Sequence, residues 1–89
     1  MQTIHILIKG KVQGVFFRAS TKEAADSLGV QGWVKNTAAD NVEAMATGNE
    51  KNIQQFINWC KQEPRKAIVT EVIVTQKEVL PFTDFSVIK

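Results

Sequence analysis

The first third of the chain changes from a two-residue to a helical period, which predicts a β-strand followed by an α-helix. Every second position of residues 3–9 is an isoleucine, so Ile4, Ile6 and Ile8 share one face of the strand. Further along, apolar or small residues recur at helical spacing. They are Phe17, Thr21, Ala24, Ala25 and Leu28. This stripe predicts an amphipathic helix that ends near Leu28, and Gly29 suits its C-terminal cap.

The middle of the chain predicts a β-hairpin and a second helix. Apolar residues alternate at 30–34 and again at 42–46, and the polar segment 37–41 between them is typical of a turn. Asn49 is a suitable N-cap for a helix. The apolar stripe of this helix is Ile53, Phe56, Ile57 and Cys60. Pro64 then follows the predicted end of the helix.

The order of the elements predicts an α+β fold. β-Branched residues at 67–75 predict a further strand, with a β-bulge near Thr70 and Glu71 where the alternation fails. Phe85 and Val87 predict a short last strand, which we expect at an edge of the sheet. The first six elements read βαββαβ, the ferredoxin-like arrangement, in which right-handed crossovers place two helices on one face of a mostly antiparallel sheet. We expect residues 1–89 to form a single domain.

Composition narrows the class of protein. The 89 residues are 44% hydrophobic, enough for one core, and the net charge of +2 is too small to indicate nucleic-acid binding. A single cysteine, Cys60, cannot form an internal disulfide bond, which predicts a reducing, cytoplasmic location. No apolar run is long enough to cross a bilayer and no signal peptide is visible, so we expect no membrane partner. We expect a monomer, because a chain of this length needs no partner to form its core.

The segment at 10–18 carries the strongest indication of function. Gly10 and Gly14 lie between the first predicted strand and helix, where glycine lets backbone N–H groups turn toward a common point. Arg18 ends the segment and adds a planar cation with five hydrogen-bond donors. Together these features indicate an oxyanion site, for which a phosphoryl group is the most suitable ligand. From these residues alone, a plain connection between strand and helix is the alternative.

Two segments resemble the acylphosphatase family. Residues 10–18, Gly-Lys-Val-Gln-Gly-Val-Phe-Phe-Arg, match the family signature Gly-x-Val-Gln-Gly-Val-x-Phe-Arg at every position. Residues 32–36, Gly-Trp-Val-Lys-Asn, are similar to the family pattern Gly-aromatic-Val-basic-Asn, and the resemblance extends over residues 4–87. Two departures lie outside both motifs. The family often has Asp-Gly in place of Ala39-Asp40, and many relatives end in an aromatic residue where this chain has Ile88-Lys89.

The resemblance implies an enzyme that hydrolyses the carboxyl–phosphate bond of a small acyl phosphate, giving a carboxylate and inorganic phosphate. Arg18 would bind the phosphate as the catalytic arginine, and Asn36 would orient the attacking water. Taken by itself, without the resemblance, Asn36 favours the start of a turn over a catalytic role. The backbone amides that would also hold the phosphate are those of Gln13, Gly14, Val15, Phe16, Phe17 and Arg18. The resemblance implies no cofactor and no metal ion, and the substrate is the one expected partner.

Other phosphate chemistries lack their residues. The chain has no Gly-x4-Gly-Lys-Ser/Thr loop. A cysteine phosphatase needs cysteine six positions before its arginine, where this chain has Val12, and Cys60 falls on the apolar stripe of the second helix. His5, the single histidine, lies within a strand far from both motifs, so we expect a structural role. Neither motif contains a carboxylate, which argues against a metal site.

Two alternatives come from other functional classes. RNA-binding RRM domains share the βαββαβ order, and residues 9–17 superficially resemble their basic-glycine-aromatic stretch. That stretch lies on the third strand of an RRM, whereas the third predicted strand here, residues 42–47, has no aromatic residue for base stacking. The second alternative is a catalytically silent acylphosphatase-like domain used for interaction. The presence of both Arg18 and Asn36 argues against it.

Overall fold

The computed structural model describes residues 1–11, 17–39, 41–62 and 68–88. In chain order its elements are β1 (Gln2–Lys11), α1 (Phe17–Leu28), β2 (Gln31–Asn36), β3 (Val42–Gly48), α2 (Glu50–Gln62), β4 (Ile68–Lys77) and β5 (Phe85–Ile88). The strands form one sheet in the order β4-β1-β3-β2-β5. Neighbouring strands pair antiparallel, except β2 and β5, which pair in parallel. The predicted ferredoxin-like α+β fold is confirmed, and its extra C-terminal strand lies at the edge beside β2.

The core lies between the two helices and one face of the sheet. α1 buries Phe17, Thr21 and Ala25 of the predicted stripe, and the Thr21 hydroxyl donates a 2.7 Å hydrogen bond to the Phe17 carbonyl. The buried residues of α2 are the four that the periodicity predicted: Ile53, Phe56, Ile57 and Cys60. The sheet contributes Ile4, Ile6, Ile8, Val34, Val42, Ala44, Ala46 and Phe85. No helix in the described ranges is long and apolar enough to cross a membrane.

Two edge-to-face aromatic pairs connect the layers of this core. Phe17 and Trp59 join the two helices, with their ring centroids 5.9 Å apart. Phe56 and Phe85 join α2 to β5, with their centroids 5.8 Å apart. Because such pairs stabilise beyond the area they bury, the second pair attaches the edge strand β5 firmly to the core.

The predicted helix caps are present. Gly29 follows α1 with φ at 68°, and the N–H of Val30 donates to the Ala25 carbonyl at 2.9 Å, which closes the helix as a Schellman motif. Before α2, the Asn49 side chain accepts a 2.8 Å hydrogen bond from the Asn52 N–H. Local chemistry therefore decides where α1 ends and where α2 begins.

The predicted irregularity in the fourth strand is a β-bulge. β1 and β4 pair regularly as far as Lys9, which lies opposite Glu71. The next pair joins Gly10 to Val69, so Thr70 is the extra residue. Residues 71–77 are thereby left as a regular seven-residue stretch at the edge of the sheet.

The connection between β4 and β5 is clamped by two buried threonines of neighbouring strands. The Thr47 hydroxyl donates to the Leu80 carbonyl at 3.1 Å, and the Leu80 N–H donates to the Thr3 hydroxyl oxygen at 2.9 Å. Because the Thr47 hydrogen is already used, Thr3 is the donor in the 2.6 Å bond between the two hydroxyls. The clamp satisfies these buried hydroxyls and directs the chain toward the opposite edge.

Gly32 of β2 is a position where a side chain would clash with the neighbouring strand. Its φ is 143°, and a Cβ atom would lie 1.9 Å from the Met45 carbonyl oxygen. We expect Gly32→Ala to lower the free energy of unfolding by about 3 kcal/mol or more, through backbone strain and displacement of β2 from β3. Urea denaturation measures this loss.

Gly48→Ala is the matched control for Gly32→Ala. Its added Cβ would contact the side chains of Ile53 and Val30 at 3.6 Å, which is ordinary van der Waals distance. We expect the free energy of unfolding to change by less than about 1 kcal/mol. Equal losses in the two variants would contradict the close approach at Gly32.

Candidate active site

Arg18 lies in the first turn of α1 and contacts the C-terminal strand. Its Nη1 atom donates a hydrogen bond to the Ile88 carbonyl at 3.2 Å. No acidic residue occurs in the first turn of α1, so the positive end of the helix and the guanidinium charge reinforce each other. The first N–H groups of a helix have no partner within it and bind anions readily. Two of the predicted cradle amides, those of Phe17 and Arg18, belong to this first turn.

Lys22, one helical turn after Arg18, makes a second contact between α1 and β5. Its Nζ atom donates to the Phe85 carbonyl at 2.9 Å and pairs with the Asp26 carboxylate, also at 2.9 Å. Two cations on one side of α1 therefore bind carbonyls at the two ends of β5. This contact was not predicted, because the helical spacing of Lys22 carries no information on where the last strand lies.

Asn36 is the last residue of β2 and is half-buried. Because side chains alternate along a strand, Asn36 lies on the same face as Val34, which is the helix-covered face. Its Oδ1 atom is buried and has no hydrogen-bond partner within residues 1–11, 17–39, 41–62 and 68–88. A buried acceptor without a partner costs about 1–3 kcal/mol, so this atom has a strong tendency to accept a hydrogen bond.

The turn after β2 is closed by Thr37. The Thr37 hydroxyl oxygen accepts hydrogen bonds from the Ala39 N–H at 3.3 Å and the Asn41 N–H at 3.1 Å. The Thr37 N–H donates to the Asn41 carbonyl at 2.8 Å. From the sequence alone, Asn36 could have been the residue whose side chain starts this turn. The hydrogen bonds of Thr37 close the turn instead, and the buried Oδ1 atom of Asn36 takes part in none of them. The departure at Asp40 lies outside the described residues.

Strand pairing brings Arg18 and Asn36 to the same end of the sheet. Ile88, whose carbonyl binds Arg18, pairs in parallel with Lys35, the residue directly before Asn36. Paired strands lie about 4.8 Å apart, so the carbonyl that Arg18 binds and the last residue of β2, Asn36, lie at the same end of the sheet. The remaining cradle amides predicted from the sequence, those of residues 13–16, lie outside the described residues.

The chain's single cysteine is buried in the core. Cys60 packs in the core on α2, and burial raises the pKa of its thiol to about 12. At neutral pH the thiol therefore stays protonated, which excludes the nucleophilic role that a cysteine phosphatase needs. Within the described part of the chain, no cluster of three or more His, Cys, Asp and Glu side chains could hold a metal ion.

A second group of charges lies on the opposite, uncovered face of the sheet. Glu43 pairs with His5 Nε2 at 2.9 Å through one oxygen and with Lys35 Nζ at 3.2 Å through the other. The Lys35 ammonium also lies 5.2 Å from the ring centroid of Trp33. The hydrogen bond from His5, assisted by Lys35, lowers the pKa of Glu43 despite its partial burial. Lys35 is thereby held away from Asn36, on the other side of β2.

Comparison with known proteins identifies the family. Residues 4–87 match the family model described as Acylphosphatase. The chain belongs to the acylphosphatase family. It is 42% identical over 89 residues to the acylphosphatase of Syntrophus aciditrophicus, covering 99% of this chain and 93% of that protein.

Solved acylphosphatase structures share the whole fold. The structure from Bacillus subtilis is 34% identical with a TM-score of 0.96, and the match covers 100% of both chains. The structure from Coxiella burnetii is 38% identical with a TM-score of 0.93, covering 97% of this chain and 90% of that one. This member of the acylphosphatase family is accordingly a hydrolase that acts on acyl phosphates. Its family favours the enzyme over the RNA-binding module that the element order left open.

The Glu43 pairings predict a loss of stability in acid. Because folding lowers the pKa of Glu43 below its ordinary value of 4.5, its contribution is complete above about pH 4.5. The contribution disappears as the pH falls through the lower, folded-state value. The side chain is 23% exposed, so we expect less than about 1 kcal/mol.

Urea denaturation across pH 3–7 measures this effect, with Glu43→Gln as the test variant and Glu23→Gln, on the exposed side of α1, as the control. We expect Glu43→Gln to lose stability relative to wild type at pH 7 and to approach it as the pH falls. A constant difference across the whole range would contradict the assignment.

Proposed function

We propose that the protein hydrolyses small acyl phosphates at the end of the sheet where α1, β2 and β5 meet, with Arg18 binding the phosphate and Asn36 orienting water. One observation carries this proposal: the Arg18 guanidinium bonds to the carbonyl of Ile88, whose strand pairs with the strand that ends at Asn36, and the Asn36 amide oxygen is buried without a partner in the described residues. A cation and a neutral acceptor together suit a reaction in which water attacks a bound phosphoryl group.

The phosphate would be held by Arg18 and by backbone amides. A guanidinium carries five N–H donors, so the single bond to Ile88 leaves donors free to bind phosphate oxygens in a fixed plane. The amides of Phe17 and Arg18 add the positive end of α1. The amides of residues 13–16 complete the cradle in this proposal, on the basis of their match to the family signature.

Asn36 would hold the attacking water through its Oδ1 atom. The oxygen is buried and unpartnered among the described side chains, so accepting a hydrogen from water removes its desolvation cost. An amide carries no charge and therefore does not repel the phosphate, as a carboxylate would.

The reaction needs little beyond positioning and charge neutralisation. The water oxygen forms a bond to phosphorus while the bond from phosphorus to the carboxyl oxygen breaks, and the carboxylate leaves with its electron pair. The proton of the water passes to an oxygen of the phosphate. Because the carboxylate is a weak base and the transition state is loose, neither a strong general base nor a metal ion is required.

All residues of the proposed site belong to one chain, so we expect the monomer to be the active unit. A cytoplasmic location stays a prediction that rests on the single cysteine, which is buried as a thiol. No cofactor enters the proposed reaction.

A phosphate-release assay tests the function directly. We expect hydrolysis of acetyl or benzoyl phosphate, little hydrolysis of a simple phosphomonoester, and unchanged rates in excess chelator. Inorganic phosphate or sulfate is expected to compete with substrate, because the cradle recognises a tetrahedral oxyanion. Activity that disappears with chelator and returns with Mg²⁺ or Zn²⁺ would overturn the metal-free mechanism.

Substitution of Arg18 tests the phosphate-binding role. Arg18→Lys keeps the charge but loses the planar fork, so we expect a rate loss on the order of 10³ or more, about 4 kcal/mol of barrier. Arg65→Lys, the same change outside both motifs, is the matched control and is expected to retain activity. Steady-state kinetics with circular dichroism as a folding check measures both, and a folded Arg18→Lys variant near the wild-type rate would exclude this site.

Substitution of Asn36 separates catalysis from binding. We expect Asn36→Ala to lower kcat and kcat/KM about equally, because the contact to water matters most in the transition state, and to bind phosphate almost normally. Asn36→Asp places a negative charge beside the phosphate, so it should weaken phosphate binding as well. Calorimetric phosphate titration and steady-state kinetics measure the two effects.

Asn58→Ala, at an exposed position of α2, is the control for the Asn36 variants and is expected to behave as wild type. If Asn36→Ala abolished phosphate binding and left kcat intact at saturation, Asn36 would be a substrate ligand. The water-orienting role would then be wrong.

A further inference from the structure

β4 is a long edge strand with one side open. Within the described residues it pairs only with β1, so a row of backbone N–H and C=O groups along its ten residues faces outward. An exposed edge strand can pair with another strand, and short length, proline, β-bulges or charged side chains along the edge oppose such pairing. The bulge at Thr70 interrupts only the start of β4, and residues 71–77 are regular.

The regular stretch of β4 has an apolar centre and charged ends. Its sequence is Glu-Val-Ile-Val-Thr-Gln-Lys, with Glu71 at one end and Lys77 at the other. Between them Ile73 and Val74 are 37% and 39% exposed, although both have high β-propensity. This surface is therefore suited to burial against another strand rather than to permanent contact with water.

The charge pattern of this stretch is complementary to itself. Val74 lies at its centre, with Glu71 three residues before it and Lys77 three residues after it. If two copies of β4 pair antiparallel about Val74, each Glu71 lies directly opposite Lys77 of the other copy, and Ile73 lies opposite Thr75. Opposite charges placed across a strand pair are stabilising, and like charges are destabilising. Shifting this register by two residues in either direction removes both charge pairs.

Glu71 and Lys77 also lie on the same face of the sheet. They are opposite Lys9 and Thr3 of β1, both of which belong to the face without helices. Lys9 Nζ is 3.8 Å from Glu71 Oε1, and both side chains are largely exposed. In the paired arrangement each Glu71 would lie between Lys9 of its own chain and Lys77 of the second copy, which increases the electrostatic complementarity.

We propose that two copies of this chain associate reversibly through β4, antiparallel about Val74, and so join their sheets edge to edge. The association leaves β2 and β5 uncovered, and with them Asn36 and the carbonyl that Arg18 binds, because these strands lie at the other side of the sheet. It is weak, since one strand pair buries less surface than a standard protein–protein interface. Because neither copy covers β2 or β5 of the other, we expect activity per chain to be independent of protein concentration.

Sedimentation equilibrium of the full chain tests the dimer. Between about 10 μM and about 1 mM we expect the weight-average mass to rise from 9.9 kDa toward twice that value. Glu71→Lys and Lys77→Glu each place like charges across the pair twice, so each should raise the dissociation constant about tenfold or more. The double variant Glu71→Lys/Lys77→Glu restores opposite charges in the same register and should recover the wild-type dissociation constant.

Glu23→Lys on α1 makes the same change in net charge as Glu71→Lys but away from β4, and is the matched control for that variant, expected to associate as wild type. Amide hydrogen exchange of the unmodified protein gives an independent measurement, in which outward amides of residues 71–77 become protected as concentration rises. A constant mass up to about 1 mM would overturn the proposal. A dissociation constant that neither single variant raises, or that the double variant does not restore, would place the interface elsewhere and would also overturn the proposal.

Discussion

Two hydrogen bonds from α1 to the backbone of β5 determine the geometry of the candidate active site. Arg18 donates to the Ile88 carbonyl and Lys22 to the Phe85 carbonyl, so the helix that carries the arginine is attached to the strand at the far end of the chain. β5 is in turn held by its parallel pairing with β2 and by the contact between Phe85 and Phe56. The position of the guanidinium therefore depends on contacts between elements that are far apart in the sequence.

The two faces of β2 separate the charged groups that stabilise the fold from the neutral acceptor proposed to act in catalysis. Lys35 lies on the uncovered face, where Glu43 and the ring of Trp33 hold its ammonium. Asn36 lies on the helix-covered face, at the end of the sheet where Arg18 binds the Ile88 carbonyl. A neutral acceptor is favourable there, because a carboxylate about 4 Å from a phosphate oxygen would be repelled by about 1–4 kcal/mol. In the proposed site, alternation along one strand would thus keep a neutralised lysine away from the phosphate and present an uncharged oxygen to it.

Local patterns were sufficient to predict most of the fold. The helical stripe from Phe17 to Ala25, the cap at Asn49 and the bulge at Thr70 each follow from chemistry within a few residues. The edge at which β5 lies was predicted as a general position, but its pairing with β2 could not be predicted, since this is a contact between distant parts of the chain. For the same reason the sequence motifs indicated Arg18 and Asn36 but not the Ile88 carbonyl, which is 70 residues from Arg18. The motif also could not predict that the Asn36 oxygen is buried without a hydrogen-bond partner in the described residues, because burial depends on the packing of the whole fold.

A crystal structure of the protein with inorganic phosphate tests the central claim most directly. We expect a phosphate oxygen about 2.7–2.9 Å from the Arg18 guanidinium, with the bond from Arg18 to the Ile88 carbonyl retained. We also expect a water that bridges the phosphate and the Oδ1 atom of Asn36. Phosphate bound elsewhere on the chain, or bound at Arg18 with Asn36 turned away from it, would contradict the account.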